Sequence, residues 1–139
     1  MPEERTFAYE VAGGAHVAVH GSVSPNDGEW QCYLDDIAEH LDEIRGVIVN
    51  TTGGGPSSVQ RSMATAHWKQ HGGAPKMSIM TTSAFVRGMV TALSWFLGPT
   101  VQAFPIEDYA GATEHLGLDA MQVEEVRAAV ARLRRSLPG

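Results

Sequence analysis

Two segments of the chain share a layout that restricts the fold to the α/β class. VIVNTTGGGPSS at residues 47–58 and MSIMTTSAFVRG at residues 77–88 each begin with a short apolar run. Each run ends in a cluster of Thr, Ser and Gly, and a segment with helical spacing of apolar residues follows. This layout is typical of a buried parallel strand that turns into a helix, because such strands are covered on both faces.

Charge is unevenly distributed around these two segments. Ten of the acidic residues precede Ile44 and six follow Ile106, and the stretch between contains no Asp or Glu. The cations inside that stretch are Arg45, Arg61, Lys69, Lys76 and Arg87. Ligands of open α/β sheets bind beyond the carboxyl ends of the strands, and helix N-termini favour anions. We therefore expect the functional surface at these two turns, with an anionic partner or a phosphorylatable hydroxyl.

Size and composition predict one globular domain in the cytoplasm. The chain has 139 residues, 43% of them hydrophobic, and no apolar run is long enough to span a membrane. The net charge of −6 argues against nucleic-acid binding, which needs a basic surface. The polar, acidic start MPEERTFAYE is unlike a secretory signal, and the single Cys32 excludes an internal disulfide. Cys32 lies beside an apolar helical stripe, so we expect it to be buried.

Periodicity and turn residues predict two strands, three alternations of helix and strand, and two final helices. Strands are expected near 6–11, 15–20, 46–50, 76–80 and 100–104. Helices are expected near 29–44, 57–70, 83–98, 105–116 and 119–137. The predicted fold is a single-domain α/β sandwich with four to five helices and a mostly parallel sheet of about five strands, the first antiparallel. Residues 119–139 are expected to pack on the 1–118 domain or on a partner, and a homodimer through this helix is one alternative.

The two turns match no nucleotide-binding or hydrolase signature. The glycines at residues 53–55 lack the Walker lysine and the GxGxxG spacing, and GxSxG is absent. We therefore expect no cofactor, and a serine-dependent hydrolase using Ser57, Ser58 or Ser83 is a third hypothesis. His67 and His71 share a helix face, but no acid lies near them in the sequence, so we expect solvent-facing histidines and no metal site.

From Phe7 to Leu118 the pattern resembles the STAS-domain superfamily, the anti-sigma-factor-antagonist fold, and most of all its STAS/SEC14-like branch. The residues that carry the resemblance are the hairpin start, the VIVN strand with its Ser/Thr-rich turn, and KMSIMTTSAFVRGMVTALSWF followed by VQAFPIEDYAGATEHLGL. The resemblance implies a non-enzymatic, SpoIIAA-like protein-interaction module in bacterial signalling or assembly. It also implies a protein partner, either a kinase or a regulator.

In regulatory members of the family, a partner kinase phosphorylates a serine or threonine in a D-S-S-G-like turn after the third strand, which abolishes binding. By distance from the strand, Ser57 or Ser58 corresponds to that position. By local pattern, Thr51 and Thr52 before Gly53 correspond to it, although the family's aspartate precedes neither pair. The residues expected to bind the partner or accept phosphate are Ser58, Ser57, Thr52, Thr51, Gly54, Ser83 and Arg87.

A small-ligand carrier is the alternative function from a different class. A lipid or a nucleotide would occupy a pocket lined by Met63, Phe85, Met89, Trp95 and Phe96. The two functions differ in whether the purified protein carries a bound small molecule, which native mass spectrometry detects.

Overall fold

The strands form one sheet in chain order, and every pairing is parallel except the first. The computed structural model describes residues 6–84, 87, 88, 90 and 100–137. Strand β1 (Phe7–Ala12) pairs antiparallel with β2 (Ala15–His20). The parallel strands that follow are β3 (Gly46–Thr51), β4 (Met77–Thr81) and β5 (Val101–Pro105). The mostly parallel sheet with an antiparallel first strand is therefore confirmed.

Helices cover both faces of this sheet, so its central strands are buried. All six residues of β2 are buried, and their side chains alternate between the two faces. Ala18 and Val47 pack with the helices of one face, whereas Val17, Val19 and Ile48 pack with those of the other. This double burial explains why the VIVN segment is a continuous apolar run.

Helices α1 (Asp27–Glu39) and α2 (Ser58–Gln70) lie on the first face. Each begins with a reciprocal capping box, Asn26 with Glu29 and Ser57 with Gln60. The indole Nε1 of Trp30 donates to the carbonyl of Gln60 at 2.9 Å, which ties α1 to the start of α2.

Helices α3 (Tyr109–Leu116) and α4 (Ala120–Ser136) cover the second face. Gly117 separates them in a left-handed conformation, and Asp119 caps α4 in the predicted box with Gln122. The apolar stripe of α4 is covered within the domain itself, through Val126, Ala129, Val130 and Leu133. A homodimer through α4 would have to use its exposed side and stays a prediction.

Several predicted boundaries and one predicted burial are wrong. Helix α1 ends at Glu39 with His40 as its C-cap, not near 44, and α3 begins at Tyr109 rather than at 105 because Asp108 caps it. Cys32 is exposed, because at about 100° per residue it lies on the side of α1 opposite the buried residues Trp30, Tyr33, Leu34 and Ile37.

The third predicted helix is described only in part. Ala84, Arg87, Gly88 and Val90 are helical, whereas Phe85, Met89, Trp95 and Phe96, four of the five residues of the expected ligand pocket, lie outside the described residues. No helix among the described residues has both the length and the apolar character that a membrane crossing requires.

The packing of α4 on the sheet gives a direct stability prediction. Val126 is fully buried, whereas Met121 on the same helix is 75% exposed. We expect Val126→Ala to lower the free energy of unfolding by about 1–3 kcal/mol, because it removes buried methyl groups and leaves a cavity. Met121→Ala, the matched control, should change it by less than about 0.5 kcal/mol. Urea denaturation measures both, and equal effects would show that α4 is not part of the core.

Candidate functional site

The two Ser/Thr-rich turns meet at the carboxyl edge of the sheet, as their layout predicts. Thr51 ends β3, Thr81 ends β4, and the two residues are register partners in the parallel ladder. Both are buried. The turns that follow these residues therefore leave the sheet side by side.

Thr51 and Gly54 hold the first turn in place from inside. The Thr51 hydroxyl accepts from the backbone N–H of Gly53 at 3.1 Å and donates to the carbonyl of Gly54. The N–H of Gly54 donates to the carbonyl of Gly21 at 2.8 Å, in the loop after β2. Both residues are buried, so their position suits support of the turn rather than direct contact with a partner.

Three other predicted hydroxyl residues are exposed on the same turn. Thr52, Ser57 and Ser58 all lie at the surface. The Ser57 hydroxyl accepts from the backbone N–H of Gln60 at 3.2 Å and is engaged as the helix cap. Ser58 occupies the first position of α2, where an added negative charge is favourable to the helix dipole.

Ser83 and Arg87 belong to the second turn and are half-buried. The N–H of Ser83 donates to the Thr81 hydroxyl at 3.1 Å, and Arg87 Nη1 donates to the Thr81 carbonyl at 3.3 Å. Arg87 therefore contacts the carboxyl end of β4.

Two exposed valines flank the first turn. Val23 and Val59 are 61% and 62% exposed. Exposed apolar side chains that lie together are typical of surfaces that a partner covers. The side-chain Nε2 of Gln60 donates to the carbonyl of Pro25 at 2.7 Å, so the Val23 loop and the start of α2 form one surface. We name Val23, Thr52, Ser57, Ser58 and Val59 the turn patch.

Sequence reasoning missed a network on the opposite face of the sheet. The Asn50 amide donates to the carbonyl of Ile106 at 3.2 Å and accepts from Arg134 Nη2. Arg134 Nη1 also donates to the carbonyl of His20 at 2.8 Å. The one signal in the sequence was Asn50, at the end of the apolar run VIVN, because a buried amide needs hydrogen-bond partners.

The His20 ring is buried on the α1/α2 face of the sheet, while the backbone carbonyl of His20 accepts from Arg134 of this network. Its ring stacks on Phe7 with centroids 4.6 Å apart, and its Nδ1 has no hydrogen-bond partner among the described residues. Burial, followed by the positive charge of Arg134, lowers the pKa of His20 to about 4. His20 is therefore neutral in the folded protein at physiological pH.

Other histidines form two small clusters away from the turns. Buried His16 Nε2 lies 2.7 Å from Asp36 Oδ2, beside Glu39 and His40 on α1. His67 and His71 have ring centroids 4.6 Å apart on α2, which agrees with their predicted common face. His71 is exposed and His67 is half-buried. Among the described residues, no hydrogen bond joins a histidine of either cluster to Ser57 or Ser58.

Comparison with known proteins bears on the fold. No protein-family model matches the chain, and no curated protein matches it. A solved structure does match: an uncharacterized protein from the DUF3478 family with a SpoIIAA-like fold, from Shewanella loihica PV-4. The match covers 79% of this chain and 91% of that chain, with a TM-score of 0.55 and 18% sequence identity.

The chain has a SpoIIAA-like fold. At this level of identity the likeness concerns the fold alone. The resemblance to the STAS superfamily is thereby confirmed for the architecture. The neighbour is itself described as uncharacterized.

The contact between Gly54 and the loop after β2 gives a second prediction. A Cβ at Gly54 would lie 2.5 Å from the carbonyl oxygen of Gly21 and 2.7 Å from that of Val23, whereas a Cβ at Gly55 meets nothing within 4 Å. We expect Gly54→Ala to lower the free energy of unfolding by about 1–3 kcal/mol, because backbone atoms must move apart. Gly55→Ala is the control and should shift it by less than about 0.5 kcal/mol. Thermal and urea unfolding compare the two variants, and a neutral Gly54→Ala would contradict the contact.

The buried His20 gives a prediction for pH. Its folded-state pKa of about 4 lies below the ordinary value of 6.5, so the unfolded chain binds the proton more tightly. Its contribution to stability is complete above the unfolded-state pKa and is lost as pH falls toward the folded-state pKa.

The variant His20→Phe keeps a ring against Phe7 and removes this titration. Between about pH 7 and about pH 4.5, we expect the wild type to lose about 2 kcal/mol more unfolding free energy than His20→Phe. Burial also lowers the pKa of His16, so the variant retains some pH dependence in the same direction. Urea denaturation at both pH values measures the difference, and parallel losses in the two proteins would contradict a neutral buried His20.

Proposed function

We propose that this SpoIIAA-like domain is a non-enzymatic protein-interaction module that docks a partner on the turn patch and its surroundings. The observation that carries the proposal is the pairing of exposed hydroxyls with exposed apolar side chains. Thr52, Ser57 and Ser58 are exposed, and Val23 and Val59 are both more than half exposed. Protein interfaces combine apolar and polar groups on one surface.

The charge around the turn patch supports an acidic partner. Arg61 and Lys69 are exposed on α2, and residues 45–105 contain no acid. Complementary charge raises the rate and the specificity of association. An acidic partner would be repelled by a phosphate on Ser58, and the resemblance to STAS regulators suggests this form of control.

The exposed position of Ser58 supports phosphorylation there. A kinase needs an accessible hydroxyl, and Ser58 lies at the surface, at the start of α2. Thr51 is a poorer acceptor because it is buried and its hydroxyl is engaged with Gly53 and Gly54. Ser57 is exposed, but its hydroxyl accepts the capping bond of α2.

The hydrogen bonds of the turn support a binding role over hydrolysis. A serine nucleophile needs an adjacent base. In the described part of the chain, the Ser57 hydroxyl is paired with a backbone N–H, and no hydrogen bond joins a histidine to Ser57 or Ser58. Reaction of Ser57 or Ser58 with a fluorophosphonate would overturn the non-enzymatic assignment.

Substitution of Ser58 tests the docking surface. Ser58→Asp adds a charge without a large change in size, and Ser58→Asn adds nearly the same shape without charge. We expect Ser58→Asp to weaken partner binding by about tenfold or more and Ser58→Asn by less than about threefold, because the carboxylate must be desolvated beside an acidic partner. The stability change should stay within about 1 kcal/mol, since a charge at this helix end is favourable.

The measurement is affinity capture from an extract of the source cells, followed by titration with the purified partner. A partner that is retained by Ser58→Asn and lost by Ser58→Asp supports the proposal. Equal binding of both variants would place the interaction surface elsewhere. Native mass spectrometry of the purified protein tests the carrier alternative, which requires a co-purified small molecule.

A further inference from the structure

An open cleft of about 540 Å³ lies at the carboxyl edge of the sheet, on the α3/α4 face. Its apolar surface comes mainly from Ile106, Tyr109 and Val130. Its polar groups come from Asn50, Thr52, Glu107, Arg127 and Arg134. The cleft and the turn patch have Thr52 in common, and otherwise the turn patch belongs to the α1/α2 side of the sheet.

Arg134 brings to this cleft a positive charge that forms no ion pair among the described residues. Its guanidinium donates to the Asn50 side chain and to the His20 carbonyl, which are both neutral. None of the ion pairs among residues 6–84, 87, 88, 90 and 100–137 includes Arg134. Arg134 is partly buried, and desolvation lowers its pKa, so its charge is held at some cost. The two neutral contacts leave other N–H groups of the guanidinium for a ligand.

Arg127 lies seven positions before Arg134 on α4 and adds a second cation to the cleft. Its guanidinium lies over the ring of Tyr109, 4.5 Å from the centroid, and both residues line the cleft. Its ion pair with exposed Glu124 is long, at 3.7 Å. Glu107 lines the same cleft and partly offsets the two positive charges.

We infer that this cleft binds the phosphate or carboxylate group of a small molecule that also has an apolar part. The oxyanion would accept from Arg134 and Arg127, because guanidinium groups match the geometry of both oxyanions. The apolar part would lie against Ile106, Tyr109 and Val130. The position fits the general rule that open α/β sheets bind ligands beyond the carboxyl ends of their strands.

This site goes beyond the proposed docking function, and the two can fail separately. The docking proposal depends on Ser58 and its neighbours on α2, whereas the cleft depends on two arginines of α4. If the Ser58→Asp variant loses the partner and still binds the anion, the two sites are separate.

The probe for the cleft is phenyl phosphate, which joins an oxyanion to an apolar ring, with phenol as the uncharged comparison. Isothermal titration calorimetry or amide chemical-shift titration gives the dissociation constant. We expect phenyl phosphate to bind and phenol to bind at least about tenfold more weakly, since phenol lacks the charge-assisted hydrogen bonds. Amide shifts should be largest near Asn50, Ile106 and Arg134. No binding of phenyl phosphate, or equal binding of phenol, would overturn the inference.

Variants of α4 locate the binding charge. Arg127→Gln removes an exposed cation of the cleft, and Arg135→Gln removes an exposed cation of the same helix that does not line it. We expect Arg127→Gln to weaken phenyl phosphate binding by about fivefold or more and Arg135→Gln by less than about twofold. Equal effects would mean that only the net charge of the protein matters, and would contradict a site.

Glu107→Gln and Arg134→Gln extend the test in opposite directions. Removal of the acid should strengthen binding by about twofold or more, whereas removal of Arg134 should reduce it by about tenfold. Because Arg134 also holds Asn50, its variant is interpreted only beside a circular-dichroism spectrum of the folded state. Weaker binding in Glu107→Gln would contradict the inference, whatever the behaviour of Arg134→Gln.

The same anion chemistry occurs in soluble metabolites and in lipid headgroups. Co-sedimentation with phosphatidylcholine vesicles that contain phosphatidate separates these sources. Sedimentation that Arg127→Gln abolishes indicates a headgroup, and protein that stays in solution while it binds phenyl phosphate indicates a soluble ligand. Sedimentation of wild type and Arg127→Gln to the same extent would contradict a role of the cleft at the vesicle surface.

Discussion

The contact between the turn after β3 and the loop after β2 determines the shape of the carboxyl edge. Gly54 donates to Gly21 across a distance that leaves no room for a Cβ, and Gln60 at the start of α2 donates to Pro25 of the same loop and to Asp27, the first residue of α1. These bonds join segments more than 30 residues apart in the chain. They place the helix start, with Ser57 and Ser58, at the surface and in a fixed orientation.

The two faces of the sheet separate two kinds of chemistry at that edge. On the α1/α2 side, the hydroxyls and valines of the turn patch present a surface suited to another protein. On the α3/α4 side, Arg134 crosses from the last helix to the ends of β2 and β3 and leaves a guanidinium beside an apolar cleft. Thr52 is the one residue of the turn patch that also lines the cleft.

The architecture could be predicted from the sequence because short-range features determine each strand, helix start and turn. The apolar VIVN run, the Asp119–Gln122 box and the glycine pair at 13–14 each determine a strand, a helix start or a turn from adjacent residues. Predicted boundaries were wrong where a cap decided the limit, as Asp108 does for α3. Parallel pairing of β3 and β4 is enough to place both turns at the carboxyl edge of the sheet.

The contacts that specify the candidate sites could not be predicted in this way. Arg134 reaches Asn50 across 84 positions of sequence, and periodicity carries no information about such a pair. The same holds for Gly54. A glycine allows the close approach of another segment, but the sequence does not show that this segment is the loop after β2. Burial also separated Thr51 from Thr52, which are adjacent and chemically identical, because Thr51 is the last residue of β3 whereas Thr52 belongs to the exposed turn.

The central claim is that the turn patch is the docking surface, and amide hydrogen exchange with the captured partner bound tests it most directly. The account predicts slower exchange in residues 22–24 and 52–62 when the partner binds, and unchanged exchange across α3 and α4. Protection confined to α3 and α4, with residues 52–62 exchanging as in the free protein, would contradict it.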